Sequence, residues 1–544
     1  MQKPKKSILL KILKVSGISV AAVLALLFIL PYLFPDTIAS KVKQWVNGAI
    51  TSKLEFSNAR LSFFNHFPSL TLTLQDISLT GSAPFEKDTL VAAQQLSFGI
   101  DLSSLFSASV RINQIFLTGA NINVQVDAHG NANYNIYRST TAATDTSSSG
   151  AGLRLESIVI ESSNLRYSDL SVPLAISAEN LNYKGSGDLS EAVFDLSTRL
   201  SIDAFSFAHA GKSYINQKQL RARLVTKVNT KSLALVFEKN RIRINKLPVQ
   251  FSGTFDFLQN GYNMDLQLDA RKATLENMIT AIPPDLTGWL DDTKVRGDAA
   301  FNMRLKGKYI VETNTMPDLQ LGLKVRKGYI AYKGAPSPVE NMFLNLDATL
   351  PSLNTDSLDI RIDSLYFTVD KGYCSVISHT IGLEQPYINS VVKANLDLDK
   401  WDKAVGLSNI DLGGNCTLDF KAEGKYTKAQ NPAKWRKDII VTGIPAFQLQ
   451  STMKNGYLKF VSLPEALHDI NFTIKSACSD SNYKHTTIEI EHLNAVALNN
   501  MIKGYAKVVN PEEPKVETDI TGNLNLKDLK KFIPGDKFDA AGDI

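Results

Sequence analysis

From Leu54 onward the chain alternates apolar and polar residues with a period of two. Ser69-Leu70-Thr71-Leu72-Thr73-Leu74 and Asn121-Ile122-Asn123-Val124-Gln125-Val126 do so without interruption. So do Arg241-Ile242-Arg243-Ile244, Met264-Asp265-Leu266-Gln267-Leu268, Leu358-Asp359-Ile360-Arg361-Ile362 and Ile488-Glu489-Ile490-Glu491. Successive side chains of a strand point to opposite faces, so each stretch predicts a strand with one apolar and one wet face. Gly, Asn, Asp and Pro between them supply turns. Helical patterns there are few and short, for example Leu275–Ala281, Lys400–Val405 and Leu526–Phe532.

Two patterns precede the strands. Val15 to Phe34, VSGISVAAVLALLFILPYLF, is free of charge over twenty positions. At ~1.5 Å per residue it is long enough for a ~30 Å hydrocarbon core. Lys3, Lys5, Lys6, Lys11 and Lys14 stand before it, which predicts a cytoplasmic N-terminus and a bulk on the far side. A cleaved signal fits less well, because its apolar region usually runs about 7–15 residues and ends in a small-residue site. Ile38, Val42, Trp45, Val46, Ala49 and Ile50 then form a helical stripe, capped by Asp36 or Thr37. That stripe would pack on the first strands or rest on the lipid surface.

The fold class predicted is therefore mostly β: an N-terminal transmembrane helix, then an elongated, repetitive, groove-like curled β-sheet with short helices. The segments are a basic tail (1–14), the membrane helix (15–34), a first β module (36–138), a flexible Ser/Thr-rich linker (139–152) and a repetitive region (153–544). The repetition is visible in the residues. Val325-Arg326-Lys327-Gly328-Tyr329-Ile330 matches Met453-Lys454-Asn455-Gly456-Tyr457-Leu458, 128 residues later. A third unit opens at Ile520 and breaks off at Ile544, which predicts a native polypeptide continuing beyond it. Such repeats stack into one continuous core, and with so few helices to cover it the apolar face is expected to form a trough.

Composition narrows the function. With 44% hydrophobic and 21% charged residues the chain is foldable, and 59 basic against 54 acidic residues give only +5. No long basic run follows residue 14, which argues against nucleic acid. Cys374, Cys416 and Cys478 form no CxxC, and the seven histidines form no HxxxH pair. No phosphate loop, HExxH or GxSxG is present. Asp397/Asp399 and Glu489/Glu491 lie two apart on strand patterns, sharing a face rather than opposing each other across a substrate. The expectation is no enzyme, no metal and no cofactor.

The constellation that remains is apolar: Leu70, Leu72, Leu74, Ile122, Val124, Val126, Ile242, Ile244, Leu266, Leu268, Ile360, Ile362, Ile488 and Ile490. These residues would line a trough or fill a closed sandwich.

The anchor, Phe64-Asn65-His66-Phe67-Pro68-Ser69-Leu70-Thr71-Leu72, Leu102-Ser103-Ser104-Leu105-Phe106, Ile122-Asn123-Val124 and Asp127-Ala128-His129-Gly130-Asn131-Ala132-Asn133-Tyr134 together resemble the AsmA family of Gram-negative envelope proteins. The resemblance implies a single-pass inner-membrane protein, anchored through Val15–Phe34, with a periplasmic, taco-shaped β-groove of AsmA/TamB-like type. It implies a role in outer-membrane biogenesis and homeostasis, with phospholipid or another acyl-chain lipid guided between membranes. It supplies no catalytic residues. The rival reading is an assembly factor that captures strands of an outer-membrane or envelope protein by β-augmentation.

Overall fold

The computed structural model describes residues 50–62, 70–101, 111–136, 152–189, 191–282, 293–333, 337–404, 409–431, 438–460, 465–498, 500–523 and 525. The expected membrane helix at 15–34, most of the stripe at 38–50, the third helical stretch at 526–532 and the chain end lie outside them. Among the described residues no helix is long and apolar enough to cross a membrane. The protein is mostly β, with 26 strands and two short α-helices among the described residues. It divides into two compact units, Met1–Leu258 and Gln259–Ile544.

The first unit holds β1 (Leu54–Glu55), β2 (Asn58–Ser62), β3 (Leu70–Thr80), β4 (Thr89–Ile100), β5 (Arg111–Val126), β6 (Gly152–Asp169), β7 (Leu174–Ser186), β8 (Val193–His209), β9 (Lys212–Asn229), β10 (Ala234–Ile244) and β11 (Leu247–Leu258). β1 and β2 both pair with β3, and from β3 to β11 each strand pairs with the next. Every pairing is antiparallel except β5–β6, which is parallel; the linker expected at 139–152 lies, but for Gly152, outside the described residues. Directly opposed residues lie on the same face, so the register can be read straight across. One row runs Ala59, Leu74, Leu96, Leu117, Ile160 and continues Tyr183, Leu200, Ala222, Ile242, Val249. Ten strands contribute to it, and no member is charged.

Simple alternation would lose this face halfway along the strands. Asp76, Gly119, Ser162, Asn180 and Gln217 all have φ between 47° and 61° in mid-strand. Each inserts a left-handed step, so the inward parity shifts. Leu74 and Ile77, three positions apart, are both buried in one cluster with Ile50, Leu54, Ala59, Ala93 and Ala120. Neighbouring side chains accept the displaced N–H groups: Asn182 Oδ1 from Ser162 at 3.0 Å, Asn164 Oδ1 from Asn180 at 3.1 Å, and Ser206 Oγ from Gln217 at 3.0 Å. Asn and Ser suit this line because their short side chains reach neighbouring backbone.

In the second unit come β12 (Gly261–Thr274), α1 (Leu275–Ala281), β13 (Lys294–Ile310), β14 (Asp318–Ala331), β15 (Val339–Leu350), β16 (Asp359–Val369), β17 (Gly372–Ile381), β18 (Tyr387–Asp397), α2 (Leu398–Ala404) and β19 (Ile410–Lys425). A hairpin, β20 (Thr427–Gln430) and β21 (Ile439–Gly443), precedes β22 (Ala446–Phe460), β23 (Leu467–Cys478), β24 (Thr487–Ala497), β25 (Asn500–Val509) and β26 (Lys515–Asn523). The repeat is in register: β14 to β18 begin at 318, 339, 359, 372 and 387, and β22 to β26 at 446, 467, 487, 500 and 515, each 128 residues later. The left-handed line recurs at Gly297, Lys327 and Asn341, and again at Gly414, Asn455, Asp469 and His492. Glycine is required where two strands approach: a Cβ on Gly414 would stand 2.7 Å from the Gly456 Cα, and one on Gly297 2.8 Å from that of Gly328.

The two helices begin where the sequence places caps or acids. Thr274 Oγ1 accepts the Asn277 N–H at 3.2 Å to open α1, and Asp399 stands in the first turn of α2. They cover little of the sheet. Met278 is buried, and Trp401 packs on Phe367 with ring centroids 5.2 Å apart.

Candidate functional site

The alternation that builds the strands also gathers their apolar side chains, and in the second unit the register makes them continuous. One row runs Ala273, Ala299, Val325, Leu344, Leu365 and Val376. It continues through Val392, Phe420, Leu449, Ser476, Ile488, Val508 and Val516. A parallel row carries Phe301, Leu323, Leu346 and Ile362. The reverse face is charged: on β13, Arg296, Asp298, Arg304, Lys306 and Lys308 alternate with Val295, Ala299, Phe301, Met303 and Leu305.

All fourteen sequence-predicted residues fall on these apolar faces. In the first unit Leu70 opposes Ile100, Leu72 opposes Phe98 and Leu74 opposes Leu96. Ile122 and Val124 oppose Leu165 and Tyr167, and Val126 opposes Asp169. Ile242 and Ile244 oppose Val249 and Leu247. In the second, Leu266 and Leu268 oppose Leu305 and Met303, Ile360 and Ile362 oppose Ala348 and Leu346, and Ile488 and Ile490 oppose Val508 and Ala506.

Burial differs between the two units. Leu74 is 0% exposed and Leu70 4%, so the start of the first unit is a closed core. Leu344, Leu365, Val376, Val392, Phe420, Leu449 and Ile488 are only half-buried, although each faces the apolar side. A side chain in a closed sandwich loses nearly all its exposure; these keep part of theirs, so this stretch of the face is open.

Charge enters the apolar face at few places. Lys218 opposes Phe205 and is buried, which pushes its ammonium below the ordinary lysine value. Asp169, also buried, accepts from the Ser171 hydroxyl (2.6 Å), the Ser171 and Val172 amides and the Tyr167 hydroxyl.

The titratable pairs elsewhere are structural. Glu489 accepts the Tyr505 hydroxyl at 3.1 Å and Glu491 the Lys475 ammonium at 2.9 Å. Asp397 and Asp399 do not share a strand face, as the spacing suggested. The strand ends at Asp397, and Asp399 lies in α2, accepting the Gly414 N–H at 3.2 Å. His379, His468 and His485 each sit beside one carboxylate, of Asp359, Asp469 and Asp480. Among the described residues no group of three such side chains could hold a metal ion. The thiols of Cys374, Cys416 and Cys478 are free and occupy different cross-strand pairs, opposite Ala394, Met453 and Phe447. Burial pushes the Cys374 thiol up, away from the reactive thiolate.

Asp127 to Tyr134 is a clasp. Asp127 accepts from the amides of His129 (2.8 Å) and Asn131 (2.9 Å) and from the Asn131 side chain (2.8 Å), which holds its carboxyl below the ordinary carboxylate value. Asn133, fully buried, accepts the Gln125 N–H and donates to the Asn123 carbonyl, while its own carbonyl takes the Ser82 amide at 2.8 Å. The motif fastens the end of β5 to the β3–β4 loop.

Residues 10–276 match the model of the AsmA family. No curated protein and no solved structure matches the chain.

Proposed function

Since the chain belongs, through residues 10–276, to the AsmA family, we propose that it serves envelope biogenesis by guiding phospholipid acyl chains along its apolar sheet face. The observation that carries this reading is the row from Ala273 to Val516, apolar at all but one position and half-buried along most of its length. An open apolar face of this extent on a water-soluble sheet marks a binding surface. Each methylene laid on it contributes ~0.8 kcal/mol, so a 16-carbon chain half-covered recovers on the order of 6 kcal/mol. A phosphate headgroup would stay in water, because burying its charge costs far more. The row offers many near-equal positions, so a chain can slide along it.

On this reading Val15–Phe34 anchors the protein in the inner membrane and the strands lie in the periplasm. A reporter fused after Lys53 should then be active only outside the cytoplasm. Lipid extraction of the purified chain tests transport: phospholipid should be recovered, and its loss on placing Asp at Leu266 should leave the fold standing.

A second reading rests on β26. All nine of its residues are exposed, including Val516 at 59% and Ile520 at 53%. Among the described residues β26 pairs with β25 alone, and an edge of that kind can add a strand from an outer-membrane or envelope protein. Crosslinks from β26 to nascent barrel strands, without bound lipid, would favour it.

A further inference from the structure

The apolar face of the second unit has one place where hydroxyls gather. Ile362 opposes Ser378, and Ser378 opposes Ser390, before the row returns to Ala422. Thr380 stands two residues along β17 on the same face. Ser378 Oγ lies 2.6 Å from Ser390 Oγ and 3.5 Å from Thr380 Oγ1. Among the described residues these are the only hydrogen-bond partners of the three hydroxyls.

Three hydroxyls bring three O–H donors, and two mutual contacts occupy at most two. At least one donor is therefore open to the face, together with unused acceptor lone pairs. In water it is satisfied. Beneath a stretch of methylenes it would be orphaned, and that loss outweighs the burial of any one methylene above it. A group that brings an oxygen acceptor has no such difficulty.

The fold does not ask for the Ser378 and Thr380 hydroxyls. The positions 128 residues later, in the second copy of the same strands, are Ala506 for Ser378, Val508 for Thr380 and Thr518 for Ser390. Two of the three hydroxyls are thus replaced by apolar side chains in the second copy, where Ala506 pairs with Thr518 and Val508 with Val516.

We propose that Ser378, Thr380 and Ser390 form a polar station that hydrogen-bonds the ester carbonyls of a diacyl lipid, fixing where a lipid rests on an otherwise slippery face. This rests on the lipid reading above and adds a ligand feature to it. The neighbouring rows carry Val376, Val392, Ile360 and Ile388 and no charged side chain. Neutral donors in apolar surroundings suit a neutral carbonyl, and nothing beside them would hold a phosphate.

The test offers the full chain an equal mixture of a diester phosphatidylglycerol and its diether analogue, with the same headgroup and chain length, and quantifies bound lipid by mass spectrometry. The diether has no carbonyls. Wild type should enrich the diester about fivefold, the worth of one net hydrogen bond. Ser378→Ala/Thr380→Val/Ser390→Ala should bring the ratio to about one while total bound lipid stays the same. Ser378→Thr, which keeps the hydroxyl, should retain the enrichment and guards against a folding artefact. A wild-type ratio near one, or an enrichment unchanged in the triple variant, would overturn the station while leaving the lipid reading intact. Failure of wild type to retain either lipid would overturn both.

Discussion

Placing a carboxylate on the apolar face at two points should have opposite consequences. Leu74 is fully buried between Ala59 and Leu96, in the closed core of the first unit. Leu74→Asp removes the leucine's packing, about 2–5 kcal/mol, and leaves an unpaired charge costing several kcal/mol more. Against a domain stability of about 5–15 kcal/mol this is enough to unfold the unit, and its calorimetric transition should fall by about 10 °C or more. Ile362, on the apolar face of the second unit, lies between Leu346 and Ser378 but is only half-buried. In Ile362→Asp the carboxylate still reaches water, so the cost is part of one side chain's transfer energy, about 1–2 kcal/mol. The second unit should then keep its resistance to proteolysis, with its transition lowered by a few degrees, while phospholipid recovery falls severalfold. Equal unfolding by the two substitutions would refute the argument, because it would make Ile362 part of a closed core.

Other consequences are local. Asn133→Ala should cost the first unit about 1–2 kcal/mol, since two part-buried backbone groups lose their partner; denaturant titration measures it. Gly414→Ala should destabilise the second unit by about 2 kcal/mol, because φ is 93° and the new Cβ meets the Asn455 carbonyl and the Gly456 Cα; hydrogen exchange at β19 and β22 should rise. The Asp127 clasp titrates with a defined sign. Its carboxyl is held low in the folded protein, so its contribution is present above the ordinary carboxylate value and is lost as pH falls through the depressed one. The Asn131 amide should therefore exchange normally at neutral pH and lose protection only in strong acid, whereas a change between pH 6 and 8 would contradict the assignment.

The face that each of the fourteen apolar residues takes was legible because strand alternation assigns a face without regard to topology. Ile360 and Ile362 share a side whatever lies next to them. The repeat was legible too, from Gly328 and Gly456, which mark where strands come close to a neighbouring glycine. Two features were not. The left-handed line at Asp76, Gly119, Ser162, Asn180 and Gln217 shifts the inward parity in mid-strand, so Ile77 belongs with Leu74 although the alternation ends there. Asn, Asp and Ser at these points look like ordinary outward polar residues until the hydrogen bonds between strands are known. The difference between the closed core at Leu74 and the open face at Leu344 was equally hidden, since both are leucines in alternating strands and only the covering layer distinguishes them. Asp399 was misplaced for a related reason: the strand pattern gives way to a helical turn within two residues of Asp397.

The central claim is that acyl chains travel on one face of the strands. The most direct measurement loads the full chain with a phospholipid carrying a photoreactive diazirine in its acyl chain and maps the labelled residues by peptide mass spectrometry. Labelling should follow a period of two, falling on Leu344, Leu346, Ile362 and Phe420 and sparing their outward neighbours Asn345, Asp347, Asp363 and Lys421. Labelling of both faces alike, or none on β15, β16 and β19, would contradict the account.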